Sequence, residues 1–119
     1  QIARSLVTDP RLLLLDEPLA GLDLAGRERL LADLERLMRR SGGPTVVLVT
    51  HHLEEVPAAV RSAALLRAGR CVAAGPVDEV LRGGALADAF GLALAVDRRE
   101  ALDRTPAVTE AACVVVAAP

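Results

Sequence analysis

Two carboxylates in succession, Asp16 and Glu17, close an unbroken apolar run, Leu12-Leu13-Leu14-Leu15, and Pro18 follows them directly. If the run is a strand of an open parallel sheet, its carboxyl end is where such sheets hold ligands. Asp16 there offers the hard oxygen that magnesium takes, directly or through water. Glu17, one residue on, faces elsewhere and could accept a proton from an attacking water. A plainer reading stays open, in which both are polar residues ending a strand. A second run, Val46-Val47-Leu48-Val49-Thr50, ends on His51-His52. An imidazole at that point would share the sheet edge with Asp16 and Glu17 and could donate to a phosphate oxygen or to the attacking water. His51 is the candidate. His52 projects differently and is read as an inert surface residue. Between the first run and the next helix lies Ala20-Gly21-Leu22-Asp23, where Asp23 belongs either to a site or to the cap of the helix.

The elements that must position these groups follow from the pattern around them. Ile2 to Leu6 reads as the last turns of a helix closed by Asp9-Pro10. Leu12 to Leu15, without alternation and bounded by turn residues, predicts a strand buried on both faces. From Arg27 to Arg40 the apolar residues Leu30, Leu31, Leu34, Leu37 and Met38 form one helical stripe, which Ser41-Gly42-Gly43-Pro44 stops. Thr45 to Thr50, rich in β-branched residues, predicts a second buried strand and, with the helix, a parallel βαβ unit. Leu53 to Arg61 carries a weaker helical pattern interrupted at Pro57. Ala63 to Leu66 and Cys71 to Ala74 flank Ala68-Gly69-Arg70 as a hairpin, and a short helix is expected over Asp78 to Leu81. Gly83-Gly84 marks the best internal boundary. Beyond it Ala85 to Phe90 reads as helical and Asp97 to Arg104 as a solvated charged stretch. Residues 89–99 read as an extension strand or a surface tail, and Ala107 to Pro119 has no assigned role.

Composition narrows the classes. The 119 residues allow one modest domain, and 52% apolar with 25% charged residues excludes disorder for most of it. A net charge of −2 leaves no electrostatic footprint for nucleic acid. No apolar run approaches the roughly 18 residues of a bilayer span. The 14 basic residues are all arginine, so no mechanism within the chain can use a lysine ammonium. Gln occurs only at position 1, and Phe90 is the only aromatic residue. Cys71 and Cys113 have neither metal-ligand spacing nor a disulfide framework and read as two reduced thiols. The first residue is Gln rather than Met, and the expectation is a fragment whose opening part lies outside these residues.

In order and spacing the chain resembles the carboxyl-terminal half of an ATP-binding-cassette (ABC) ATPase, the nucleotide-binding subunit of ABC transporters, over residues 1–83. Gln1-Ile2-Ala3-Arg4-Ser5-Leu6 is similar to the helix after that family's signature motif, Leu12 to Asp16 to its Walker B strand, and Glu17 to its catalytic glutamate. Ala20 to Asp23 resembles the D-loop, with Ala and Gly in the first two places. Thr50-His51, followed by Glu54-Glu55, resembles the switch-histidine loop, and residues 66–76 resemble the hairpin that follows in transporter subunits.

The resemblance implies an α/β fold, a partial P-loop NTPase domain with a parallel sheet core and its first half missing, followed by an extension over 84–119. It implies ATP and magnesium as cofactors, with Asp16 organising the metal, Glu17 polarising the hydrolytic water and His51 contacting the γ-phosphate. Asp23 would act across the interface with a second ABC ATPase domain. Transmembrane permease subunits are the other implied partners, no nucleic acid is expected, and the place is the cytoplasm, peripheral on the inner face of the cell membrane. The Gly-x-x-x-x-Gly-Lys-Ser/Thr loop, the Q-loop glutamine and the Leu-Ser-Gly-Gly-Gln-like signature are absent. The isolated chain is therefore expected neither to bind ATP tightly nor to hydrolyse it. Two alternatives come from other classes: a soluble ABC-type ATPase acting on DNA or ribosomes, and a noncatalytic truncated remnant.

Overall fold

The computed structural model describes residues 2–82, 84, 86 and 112–118. Its elements in order are α1 (Ile2–Leu6), β1 (Leu12–Asp16), α2 (Leu24–Arg39), β2 (Thr45–Thr50), β3 (Ser62–Arg67), β4 (Arg70–Pro76), α3 (Val77–Arg82) and β5 (Ala112–Ala118). A 3-10 turn at Leu53–Glu55 lies between β2 and β3. The five strands make one sheet in the order β1-β2-β5-β3-β4. The β1–β2, β2–β5 and β5–β3 pairs are parallel, and β3–β4 is an antiparallel hairpin. The expected βαβ unit is β1–α2–β2, with Leu12 opposite Thr45 and Asp16 opposite Val49.

Alternation along the strands sends one set of side chains to a common face. Leu13 and Leu15 of β1, Val46 and Leu48 of β2, and Ala63 and Leu65 of β3 are buried there with Leu34 and Met38 of α2. Val77, Val80 and Leu81 of α3 join the same core, and Ile2 and Leu6 of α1 pack on its margin. The helix stripe read from the sequence is thus the stripe that covers the sheet. The helix starts at Leu24, three residues before the Arg27 start expected from the sequence, and Asp23 caps it.

Two expectations are corrected. β1 is not buried on both faces: Leu12 is 58% and Leu14 66% exposed, while Leu13 and Leu15 are buried. β1 is at the edge of the described sheet, and its Leu12–Leu14 side is exposed. Leu53 to Arg61 is not a helix beyond the single 3-10 turn. Val56 is extended (φ −80°, ψ 111°), the conformation that a following proline imposes.

Ala107 to Pro119 had no assigned role, and it supplies β5, the central strand, which pairs with β2 on one side and β3 on the other. Gly83, residues 89–99 and the stretch Asp97 to Arg104 lie outside the described residues, as does the expected Ala85 to Phe90 helix except for Leu86, which is helical and buried. Cys71 is a free, exposed thiol. Among the described residues no helix is long and apolar enough to cross a membrane.

Candidate functional site

The carboxyl ends of β1 and β2 lie side by side because the strands are parallel and in register, and they carry Asp16-Glu17 and His51. Glu17 extends the ladder one step beyond β1, its N–H donating to the Val49 carbonyl at 2.9 Å. The backbone then turns sharply. Glu17 has φ +45°, in the left-handed region that L residues rarely adopt. The Glu17 carbonyl accepts from Ala20 N–H at 3.1 Å, the Leu19 carbonyl accepts from Leu22 N–H at 3.2 Å, and Leu19 between them is completely buried. Pro18, with its fixed φ, suits the second position of such a turn. Gly21 takes φ +76°, which a side chain would strain.

Glu17 and His51 meet. Glu17 Oε1 accepts the His51 backbone N–H at 3.1 Å and lies 2.6 Å from His51 Nδ1. A carboxylate only accepts, so Nδ1 carries the proton and Nε2 points away from the pair. The hydrogen bond to Glu17 raises the His51 pKa above its ordinary 6.5, desolvation opposes the rise, and the charges of Glu17, Glu55 and Glu54 add to it. The pair is solvent-accessible, with side chains 57% and 30% exposed for His51 and Glu17. His52 does not share in it. Its N–H donates to Thr50 Oγ1 at 3.1 Å, its Nδ1 lies 3.5 Å from Glu54, and its ring leans on that of His51 with centroids 3.9 Å apart.

Asp16, the last residue of β1, stands on the same side of the sheet as Leu12 and Leu14 and is exposed. Among the described residues no three His, Cys, Asp or Glu side chains cluster to hold a metal unaided. Magnesium commonly takes one or two carboxylates and completes its shell from water and substrate phosphates, so a single strand-end Asp16 fits such an ion once phosphate is present. The phosphate cradle itself is not in these residues: there is no lysine and no Gly-rich Lys loop.

Asp23 lies at the head of α2, and the structure shows the capping alternative. Its Oδ1 accepts the Gly26 N–H at 2.8 Å, and its carbonyl accepts the Arg27 N–H at 2.9 Å. No hydrogen bond or ion pair among the described residues joins it to Glu17 or His51. Sequence reasoning missed Glu55, quoted only as part of a pair with Glu54. Its carboxylate is 1% exposed, accepts the Thr50 hydroxyl at 2.8 Å and lies 3.8 Å from Arg27 Nη1. The available signal was its place after Thr50-His51, which the charge pattern alone did not separate from the exposed Glu54.

No protein-family profile matches the chain. Curated relatives do. Over 80 residues, 67% of this chain, it is 44% identical to an ABC transporter ATP-binding protein of Streptococcus mutans and 50% identical to the molybdenum import ATP-binding protein ModC of Aromatoleum aromaticum. Over 99 residues, 83% of this chain, it is 35% identical to the ABC transporter ATP-binding protein YmeB of Lactococcus lactis. The chain spans 31%, 21% and 38% of the lengths of these three relatives. Through this shared segment the chain is a relative of the ATP-binding proteins of ABC transporters.

Proposed function

We propose that this chain supplies the hydrolytic half of an ABC ATPase domain that energises transport across a membrane. The fold it completes is a P-loop NTPase whose phosphate-binding loop, Q-loop and signature motif come from sequence outside these 119 residues. The observation that supports this reading most is the Glu17–His51 pair on adjacent parallel strand ends, beside Asp16. Glu17 accepts a proton from the water that attacks the γ-phosphate and aligns that water. His51, whose Nδ1–H is held by Glu17, donates to the γ-phosphate from Nε2–H in its imidazolium form, which the raised pKa favours. Asp16 holds magnesium, which when bound neutralises charge on the phosphate oxygens. Positioning and charge neutralisation then supply most of the rate, as in phosphoryl transfer generally. Asp23 and the exposed Ala20–Leu22 segment face a second ABC ATPase domain. The further partners are transmembrane permease subunits, which place the chain in the cytoplasm against the inner face of the membrane.

ATP turnover by the native assembly, isolated through a tag on this chain, tests the reading. Glu17→Gln removes the proton acceptor and keeps the shape, and turnover falls about 10²- to 10⁴-fold while ATP stays bound. His51→Ala lowers turnover sharply and His52→Ala does not. The isolated 119-residue chain shows no turnover. Unchanged turnover in Glu17→Gln, or hydrolysis by the isolated chain, overturns the proposal.

A further inference from the structure

One buried carboxylate has no part in the chemistry above. Glu55 sits in the 3-10 turn after β2, 1% exposed, and removing an unpaired carboxylate from water to that degree is costly. It is kept there by two partners on different elements. The Thr50 hydroxyl, itself fully buried at the end of β2, donates to Oε2 at 2.8 Å. The Arg27 guanidinium, from the first turns of α2, lies 3.8 Å from Oε1. Thr50 Oγ1 is in turn the acceptor for the His52 N–H at 3.1 Å. The chain of contacts runs from the head of α2, four residues after Asp23, to the two residues that bracket His51.

We propose that Glu55 is a positioning residue: with Thr50 and Arg27 it clamps the end of β2 to the head of α2 and so holds His51 against Glu17. The proposal rests on the ATPase reading for its consequence, since it makes the loop bearing Asp23 and the strand end bearing His51 one mechanical unit. A shift of that loop at an interface would then reach the Glu17–His51 pair through Arg27, Glu55 and Thr50. The geometry favours this route because the Arg27–Glu55 and Glu55–Thr50 links join different elements, and because Thr50 Oγ1 both donates and accepts. The clamp itself needs no nucleotide.

The readout is the tautomer of His51, seen in ¹⁵N spectra of the 119-residue chain above the pH at which the ring titrates. The Glu17 contact selects Nδ1–H, whereas an unrestrained neutral imidazole reverts to a mixture favouring Nε2–H. The expected result is a majority of Nδ1–H in the unmodified chain and in Thr50→Ser, which keeps the hydroxyl. Thr50→Val cuts the strand arm, Glu55→Gln cuts the charge on the Arg27 arm, and both make Nδ1–H the minority form while the amide signals of Leu13 and Leu48 keep their positions. Thr50→Val or Glu55→Gln retaining both the strand signals and the Nδ1–H majority overturns the clamp. So does collapse of strand signals in Thr50→Val, Glu55→Gln and Thr50→Ser alike, which would make the trio a fold-holding group only. The ATPase reading fails separately, if turnover of the assembly survives Glu17→Gln.

Discussion

Asp23 and Gly26 make a pair whose energetics can be worked from the structure. Asp23 Oδ1 accepts the Gly26 N–H at 2.8 Å, one of the donors a helix start leaves unsatisfied. Asp23→Ala removes that acceptor and should cost about 1 kcal/mol. Asp23→Asn keeps a good capping side chain and loses only the charge near the helix start, about 0.3–0.5 kcal/mol. Gly26→Ala sets two effects against each other. Alanine in place of glycine favours a helix by up to about 1 kcal/mol. A Cβ at position 26, however, would stand 2.9 Å from Asp23 Oδ1, so the carboxylate must swing off its N–H and the cap is lost. The two nearly cancel, and the single substitution should change stability by less than about 0.5 kcal/mol. In the Asp23→Ala background there is no carboxylate to displace, and the same change should stabilise by about 1 kcal/mol. Urea unfolding of the four chains, followed by helix circular dichroism, gives a coupling of about 1 kcal/mol. That is a midpoint difference of about 0.5 M at a slope of about 2 kcal/mol per molar. Equal gains from Gly26→Ala in both backgrounds would refute the cap. Asp23→Asn, added to the set, isolates the proposed interface role, because it keeps the capping side chain: turnover lost in that variant belongs to the charge.

The sign of the pH dependence at the site follows from His51. Its pKa is raised by the hydrogen bond to Glu17, so the contact's contribution to folding is complete below about 6.5 and is lost as pH climbs through the higher folded value. An NMR titration should show His51 above 6.5 and, in Glu17→Gln, returning toward 6.5; a His51 that does not move in Glu17→Gln would mean that the pair does not form in solution. In the core, Leu34→Ala on α2, at 1% exposure, should cost about 2–5 kcal/mol, whereas Leu14→Ala, at 66%, should cost less than about 1 kcal/mol in the same denaturation assay. Similar costs at the two positions would contradict a sheet covered on one side only.

What the sequence made legible was what is encoded locally. The Leu12–Leu15 and Val46–Thr50 runs, the stripe from Leu30 to Met38 and the Ala68-Gly69-Arg70 turn each carry their own signal, and each appears as an element near the expected bounds. So does the sheet edge that Glu17 and His51 share, because two parallel strands in register bring their ends together; the direct contact of the two side chains was not read from the sequence. What was not legible depends on partners far along the chain. A run of leucines cannot say whether one face or both will be covered, and among the described residues β1 has only one face covered. Within Ala112 to Ala118 no turn, cap or charged residue announces a central strand; its place is set by the open edges of β2 and β3, which are remote from it in sequence. Glu55 was hidden for a similar reason. Its burial depends on Arg27, on another element, and not on its neighbours.

Strand alternation leads to a last step. With Leu13 and Leu15 on the covered face, period two would send residue 17 to that face as well, and with Val46, Leu48 and Thr50 there it would send residue 51 to the other. Regular strands would thus point Glu17 and His51 away from each other and press a carboxylate into the core. They meet at 2.6 Å because the alternation is broken at Glu17, whose φ of +45° turns the side chain out over the sheet edge. That conformation costs of order 1 kcal/mol or more for a residue with a side chain, and such costs persist only where the surroundings enforce them. Here the enforcement is visible: the N–H is tied to Val49, the carbonyl to Ala20, the next residue is proline, and Leu19 is sunk in the interior. A plain strand end has no use for that arrangement. A carboxylate that must face a histidine on the neighbouring strand does.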